Sequence, residues 1–194
     1  MLHAIWCSAA CWQDDMALLN SDRGRRALLL GILSAGICGA QVFDEYQVKA
    51  AFLYSFAKFV EWPPQAFSSP AAGITICVLG DDPFGNFLDD SVRDKTVAGR
   101  PLIIQRITDL GAGRDCKILF IAASERGRMS ALLASIASSS LLTVGDTAQF
   151  TAQGGIIGLQ LDGQRIRLWV NLPAAEKAKL RISSRMLSLA NIIR

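Results

Sequence analysis

The chain has 194 residues, 51% of them hydrophobic and 19% charged, with a formal net charge of +3. That length accommodates one domain with a substantial core and leaves little room for a second. The small charge, spread over scattered basic residues without interleaved aromatics, argues against nucleic acid as a partner, and no apolar run reaches the roughly 18–20 residues of a membrane span.

The first feature in chain order reads as an export signal. Arg23, Arg25 and Arg26 precede the apolar stretch 27–38 (ALLLGILSAGIC), and Cys38 and Ala40 stand at the −3 and −1 positions of a cut after Ala40. Residues 1–40 are therefore expected to be a signal peptide, with Met16 as an alternative start, and residues 41–194 one exported domain. Cys38 leaves a lipoprotein signal open, although Ile37 before it fits poorly. Removing residues 1–40 takes away three charges of each sign, the only histidine (His3) and all cysteines except Cys77 and Cys116. In an oxidising compartment two remaining thiols are expected either to form a disulfide or to stay as separate buried thiols.

Residues 44–60 (DEYQVKAAFLYSFAKFV) repeat apolar side chains at three- and four-residue steps, with Val48, Phe52, Phe56 and Phe59 as the predicted buried stripe; Trp62-Pro63-Pro64 ends the helix. Residues 74–79 (ITICVL) read as a buried strand. Asp82-Pro83 is expected to cap and open a helix to about Asp90. Residues 102–106 and 116–122 are predicted strands separated by a turn at 109–113. Ser124 is expected to cap a helix reaching Ser138, and residues 141–144 form a fourth strand. Residues 156–161 and 165–171, joined by Asp162-Gly163, read as an antiparallel hairpin, and 173–194 as helical at both ends with a break at 180–183 and a cap at Ser183 or Ser184. The order gives an α/β fold in three layers: a mostly parallel sheet flanked by helices, with a C-terminal antiparallel hairpin.

Little in residues 41–194 carries chemistry. With no histidine there, the commonest general base and zinc ligand is missing. Neither a nucleophile elbow nor a glycine-rich phosphate cradle follows a strand. No enzyme, cofactor or metal is expected. Asp81 and Asp82 lie at the carboxyl edge of the first strand, where open α/β sheets bind ligands, which supports an alternative reading as a small-ligand-binding module. In the last strand, alternation puts Ile166, Leu168 and Val170 on one face and Arg165, Arg167, Trp169 and Asn171 on the other. A tryptophan beside arginines on a sheet edge has the composition of a protein interface, unless the final helix covers it.

These residues resemble a known family. Residues 45–54 (EYQVKAAFLY) and 56–63 (FAKFVEWP) are similar to the opening helix of YfiR-type proteins; residues 80–85 (GDDPFG), Gly154-Gly155-Ile156, residues 167–171, 180–184 (LRISS) and Leu187 match the rest of the pattern. The resemblance implies a periplasmic, non-catalytic protein that binds the periplasmic part of a YfiN-like inner-membrane diguanylate cyclase and represses it, lowering cyclic-di-GMP. A YfiB-like outer-membrane lipoprotein would relieve that repression, and a homodimer is a possible assembly. It also implies a Cys77–Cys116 disulfide. A second family bridge has no counterpart, because Thr151 and Gly158 stand near its positions.

Overall fold

The computed structural model describes residues 44–113 and 115–194; the expected signal peptide, the alternative start at Met16, Cys38 and the cut after Ala40 lie outside the described residues. The chain begins with helix α1 (Glu45–Phe59), capped by the Asp44 carboxylate, which accepts from the Tyr46 and Gln47 amides. A two-residue strand β1 (Val60–Glu61) follows. Then come β2 (Ile74–Leu79), α2 (Asn86–Val92), β3 (Thr96–Val97), β4 (Arg100–Ile107), β5 (Cys116–Ile121), α3 (Met129–Ile136), β6 (Leu142–Gly145), β7 (Ile157–Asp162), β8 (Arg165–Asn171), α4 (Leu172–Lys177), β9 (Arg181–Ile182), α5 (Ser184–Leu187) and β10 (Asn191–Ile193). Among the described residues no helix is long and apolar enough to cross a membrane.

Eight strands form one sheet in the order β10-β8-β7-β6-β5-β2-β4-β3, while β1 and β9 pair antiparallel beside it. The pairs from β4 through β2, β5 and β6 to β7 are parallel. β7 and β8 form the expected antiparallel hairpin around Gly163, whose φ of 60° suits a two-residue turn. Every residue of β2 and β5 is buried, as a central strand covered on both faces requires. Alternation divides the core in two. Ile76, Val78, Ile118 and Phe120 join the cluster that receives α1, α2 and α5, whereas Cys77, Leu79, Leu119 and Ile121 join the one that receives α3.

Four expectations need correction. The buried stripe of α1 is Lys49, Ala50, Leu53, Phe56 and Ala57, with Val48, Phe52 and Phe59 only half-buried; the helix is rotated because Lys49 finds buried partners. Helix α2 starts after Gly85 rather than at Pro83. Phe84 must first enter the core against Phe120, with ring centroids 4.7 Å apart, and the chain then turns at Gly85 (φ 52°). Asp82 closes a local turn, accepting from the Phe84 amide at 2.8 Å. Ser124 does not cap α3; a 3-10 stretch (Ala123–Arg128) precedes that helix, and the Ser124 hydroxyl accepts from the Asp81 amide at 3.0 Å. Finally, helices stand on both sides of the expected break, α4 before it and α5 after it with Ser183 as the N-cap, but α5 ends at Leu187 and residues 191–193 pair parallel with β8 as β10, so β10 and not β8 is the sheet edge.

Cys77 and Cys116 are bridged, with Cα atoms 5.8 Å apart. The register of β2 against β5 shifts by one between Thr75 and Ile76, so that Lys117 is an extra residue. This bulge puts Cys116 on the same face as Leu119 and Ile121, where Cys77 lies. The bond closes a loop over a sequence separation of 39, worth about 4 kcal/mol in the chain-entropy account. Cys77→Ser/Cys116→Ser is expected to lose most of that in chemical denaturation, and thiol labelling of denatured, unreduced wild-type protein is expected to find neither cysteine free. Two labelled thiols would refute the bridge.

Candidate functional site

Of the residues expected to meet a partner, Arg165 and Arg167 are exposed on β8, and Arg167 forms an ion pair with Asp162 across the hairpin. Both side chains of that pair are more than half exposed, so the pair is cheap to break. Trp169 shares their face but is half-buried. It stands opposite Gly158 on β7 and beside Asn191 on β10. Its indole N–H is buried without an acceptor among the described residues. Asn171, the fourth residue on this face, donates to the Thr151 carbonyl and accepts from the Ala174 amide, capping α4. A Cβ placed on Gly158 would lie 3.3 Å from Thr151 Cγ2. The two positions noted for a second bridge are thus neighbours.

Asp81 and Asp82 do lie at the carboxyl edge of β2, but Asp82 is engaged. Besides closing the Phe84 turn, it accepts from Arg106 at 2.6 Å, and Arg106 also reaches Asp89 at 2.6 Å. The hydrogen bond from Arg106 holds the Asp89 carboxyl below the usual carboxylate range. No group of three or more His, Cys, Asp or Glu side chains able to hold a metal occurs among the described residues.

Nothing in the residue pattern marks the most buried charged residue among the described residues. Lys49 is 1% exposed, and its ammonium lies 2.7 Å from Asp146, pairs with Glu45, and sits over the Tyr46 ring. Tyr46 donates to the same Asp146 oxygen at 3.2 Å. A lysine within an amphipathic helix reads as surface; the informative feature would have been Asp146, closing β6 at the carboxyl end. These groups line a cleft of about 620 Å³ shared with Arg126, Gln149 and Gln160. Neither Asp81 nor Asp82 lines it.

Two outcomes test this geometry. Trp169→Phe keeps an aromatic over Gly158 and removes the orphan donor, an unpaired buried group costing about 1–3 kcal/mol. It is expected to leave stability unchanged or raised, whereas Trp169→Ala loses about 2–3 kcal/mol; equal losses in thermal or chemical unfolding would mean that the N–H is paired. Burial, reinforced by the Asp146 carboxylate, pushes the Tyr46 phenol up to about 12. A folded-state value above the ordinary value of about 10 stabilises the fold below pH 10, and that contribution is lost as pH rises through about 10 to 12. Tyr46→Phe should therefore flatten the alkaline fall in stability. An unchanged pH profile would remove Tyr46 from the account.

No curated protein matches the chain. Among solved structures it is similar to a conserved domain protein from Vibrio cholerae O1 biovar El Tor strain N16961, with a TM-score of 0.49 and 12% identity, covering 62% of this chain and 54% of that one. So distant a likeness says nothing of function. Residues 46–191, which run from the Tyr46 of the buried network to the Asn191 of the edge strand, match the YfiR/HmsC-like description. The chain belongs to the YfiR/HmsC-like family, one of periplasmic, non-catalytic regulators associated with diguanylate cyclase signalling.

Proposed function

We propose that this protein is exported, loses residues 1–40, and restrains a membrane-bound diguanylate cyclase from the periplasmic side by binding its periplasmic domain. The observation that carries this reading is the family match over residues 46–191. The features that could have supported chemistry point the same way: Asp82 is spent on a turn and an arginine, Cys77 and Cys116 on each other. Repression then works by contact. Arg165, Arg167 and the exposed part of Trp169 supply the surface, with arginine and tryptophan as the types that anchor interfaces. Release by a YfiB-like outer-membrane lipoprotein, and a homodimer, belong to the same proposal.

A second reading, binding of a small polar ligand, draws support from the cleft beside Lys49 and Asp146, whose volume lies within the range of ligand sites. It places the ligand away from Asp81 and Asp82.

Affinity capture from solubilised membranes of the producing cell, with the mature protein as bait, is expected to retain a protein with a diguanylate cyclase domain. Raising the protein's level should lower cyclic-di-GMP. Arg165→Glu/Arg167→Glu, which changes only exposed positions, should weaken capture about tenfold or more without shifting the melting temperature. Capture of no cyclase, with cyclic-di-GMP unmoved, would sink the reading; capture by the variant at wild-type strength would move the interface off β8.

A further inference from the structure

Charge is unevenly divided along the chain. Residues 165–194 hold seven Lys and Arg against one Glu, whereas residues 41–164 hold ten against thirteen Asp and Glu. Segregation of this kind marks chains that meet an anionic surface.

The fold sharpens the segregation. From α4 through β9 to α5, Ala175, Ala178, Leu180 and Met186 turn into the core, and Lys177, Lys179, Arg181 and Arg185 are left exposed on the outer side. Only Arg181 among these four meets a carboxylate, that of Glu61 at 4.0 Å, with side chains 87% and 74% exposed. Lys177, Lys179 and Arg185 form no ion pair among the described residues. The turns of α5 continue through the Ser188–Ser184 and Leu189–Met186 backbone bonds, so Arg185 and Leu189, four residues apart, share one face. Leu189 is 79% exposed, more than any other large hydrophobic side chain among the described residues. It also lines a shallow depression with Arg165 at the hairpin end.

We propose that this outer face of α4, β9 and α5 docks on an anionic lipid bilayer, with Lys177, Lys179, Arg181 and Arg185 at the headgroups and Leu189 at the acyl boundary. Cations alone would suit an acidic protein equally well. The protruding leucine among them favours lipid, since an aliphatic side chain beside basic ones is how peripheral proteins seat themselves at a bilayer interface. The contact is weak and reversible, because each cation at an anionic surface adds about fivefold in affinity. It would hold the protein against the membrane without a membrane-spanning segment, and it requires nothing of the cyclase.

Flotation of the purified protein with vesicles of phosphatidylglycerol and phosphatidylethanolamine, against vesicles of phosphatidylcholine, tests this directly. Binding is expected on the anionic vesicles only. It should be lost when ionic strength rises from about 0.1 M to about 1 M, which shortens the screening length from about 10 Å to about 3 Å. Lys177→Glu/Arg185→Glu should bind about 25-fold more weakly or worse, two cations being removed, with an unchanged melting temperature. Leu189→Ser should weaken binding several-fold while leaving the salt dependence intact. No flotation, equal flotation with phosphatidylcholine, or full binding by the charge-reversed variant would each overturn the proposal. So would retention by an acidic protein partner with vesicles left unbound. Because vesicles contain no cyclase, none of these results depends on the repressor reading.

Discussion

The pairing of β2 with β5 is the constraint on which the rest of the structure rests. Both strands are buried on both faces, so every backbone group must find its partner within the sheet. A one-residue shift there would send Cys77 and Leu79 into the wrong cluster. The fold fixes the register with a bulge and a covalent bond. Lys117 is the inserted residue, and its carbonyl accepts from the Trp62 indole at 3.1 Å. Desolvation there pushes the Lys117 ammonium below its usual range. The Phe67 ring beyond Trp62 is covered by Arg100, which also donates to the Ser69 and Ala72 carbonyls. Trp62 thus locks the loop between α1 and β2 onto the bulge, and the disulfide holds the other side of the same irregularity.

The second anchor is electrostatic. Burying Lys49 is costly unless its charge is matched, and Asp146 and Glu45 match it. Asp146 follows directly on β6 and Lys49 lies in the second turn of α1, so the pair ties the start of the helix to the carboxyl end of the sheet, 97 residues away. The far end of α1 is tied by pairing, through β1 with β9 and the Ser183 amide to the Phe59 carbonyl. Held at both ends, the helix lies across strands from both halves of the chain.

What the sequence disclosed follows the reach of each interaction. β2, β5, β6 and the hairpin were legible because continuous apolar runs and an Asp-Gly turn are local signals. The misjudged features all depend on distant partners. Lys49 reads as solvated until Asp146 is placed beside it. Asp82 reads as a cap until Phe84 is required in the core. Ser124 reads as a cap until the Asp81 amide arrives from another strand. β10 was invisible because three residues carry little propensity of their own, and the free edge of β8 decides their conformation. The same dependence obscured Trp169: alternation put it correctly with Arg165 and Arg167, but only the neighbours Gly158 and Asn191 decide how much of the ring is covered.

The strand order also bears on why a fold so often used for catalysis can serve a regulator. β4 and β5 flank β2 on opposite sides, so the chain reverses direction across the sheet between β2 and β5, where open parallel sheets usually bind their ligands. Here that crevice is filled by the protein itself. The Ser124 hydroxyl bonds the Asp81 amide, the Ala122 amide bonds the Leu79 carbonyl, and Gly80, at φ 91°, has Ser124 where a Cβ would go. Any side chain at position 80 would have to displace that loop. A cleft lies farther along the same edge, beside Asp146, and α1 lines it with Tyr46 and Lys49. The switch point between β2 and β5 is thus occupied by the protein's own loops, and the space left along this edge is the cleft that Lys49 and Asp146 line.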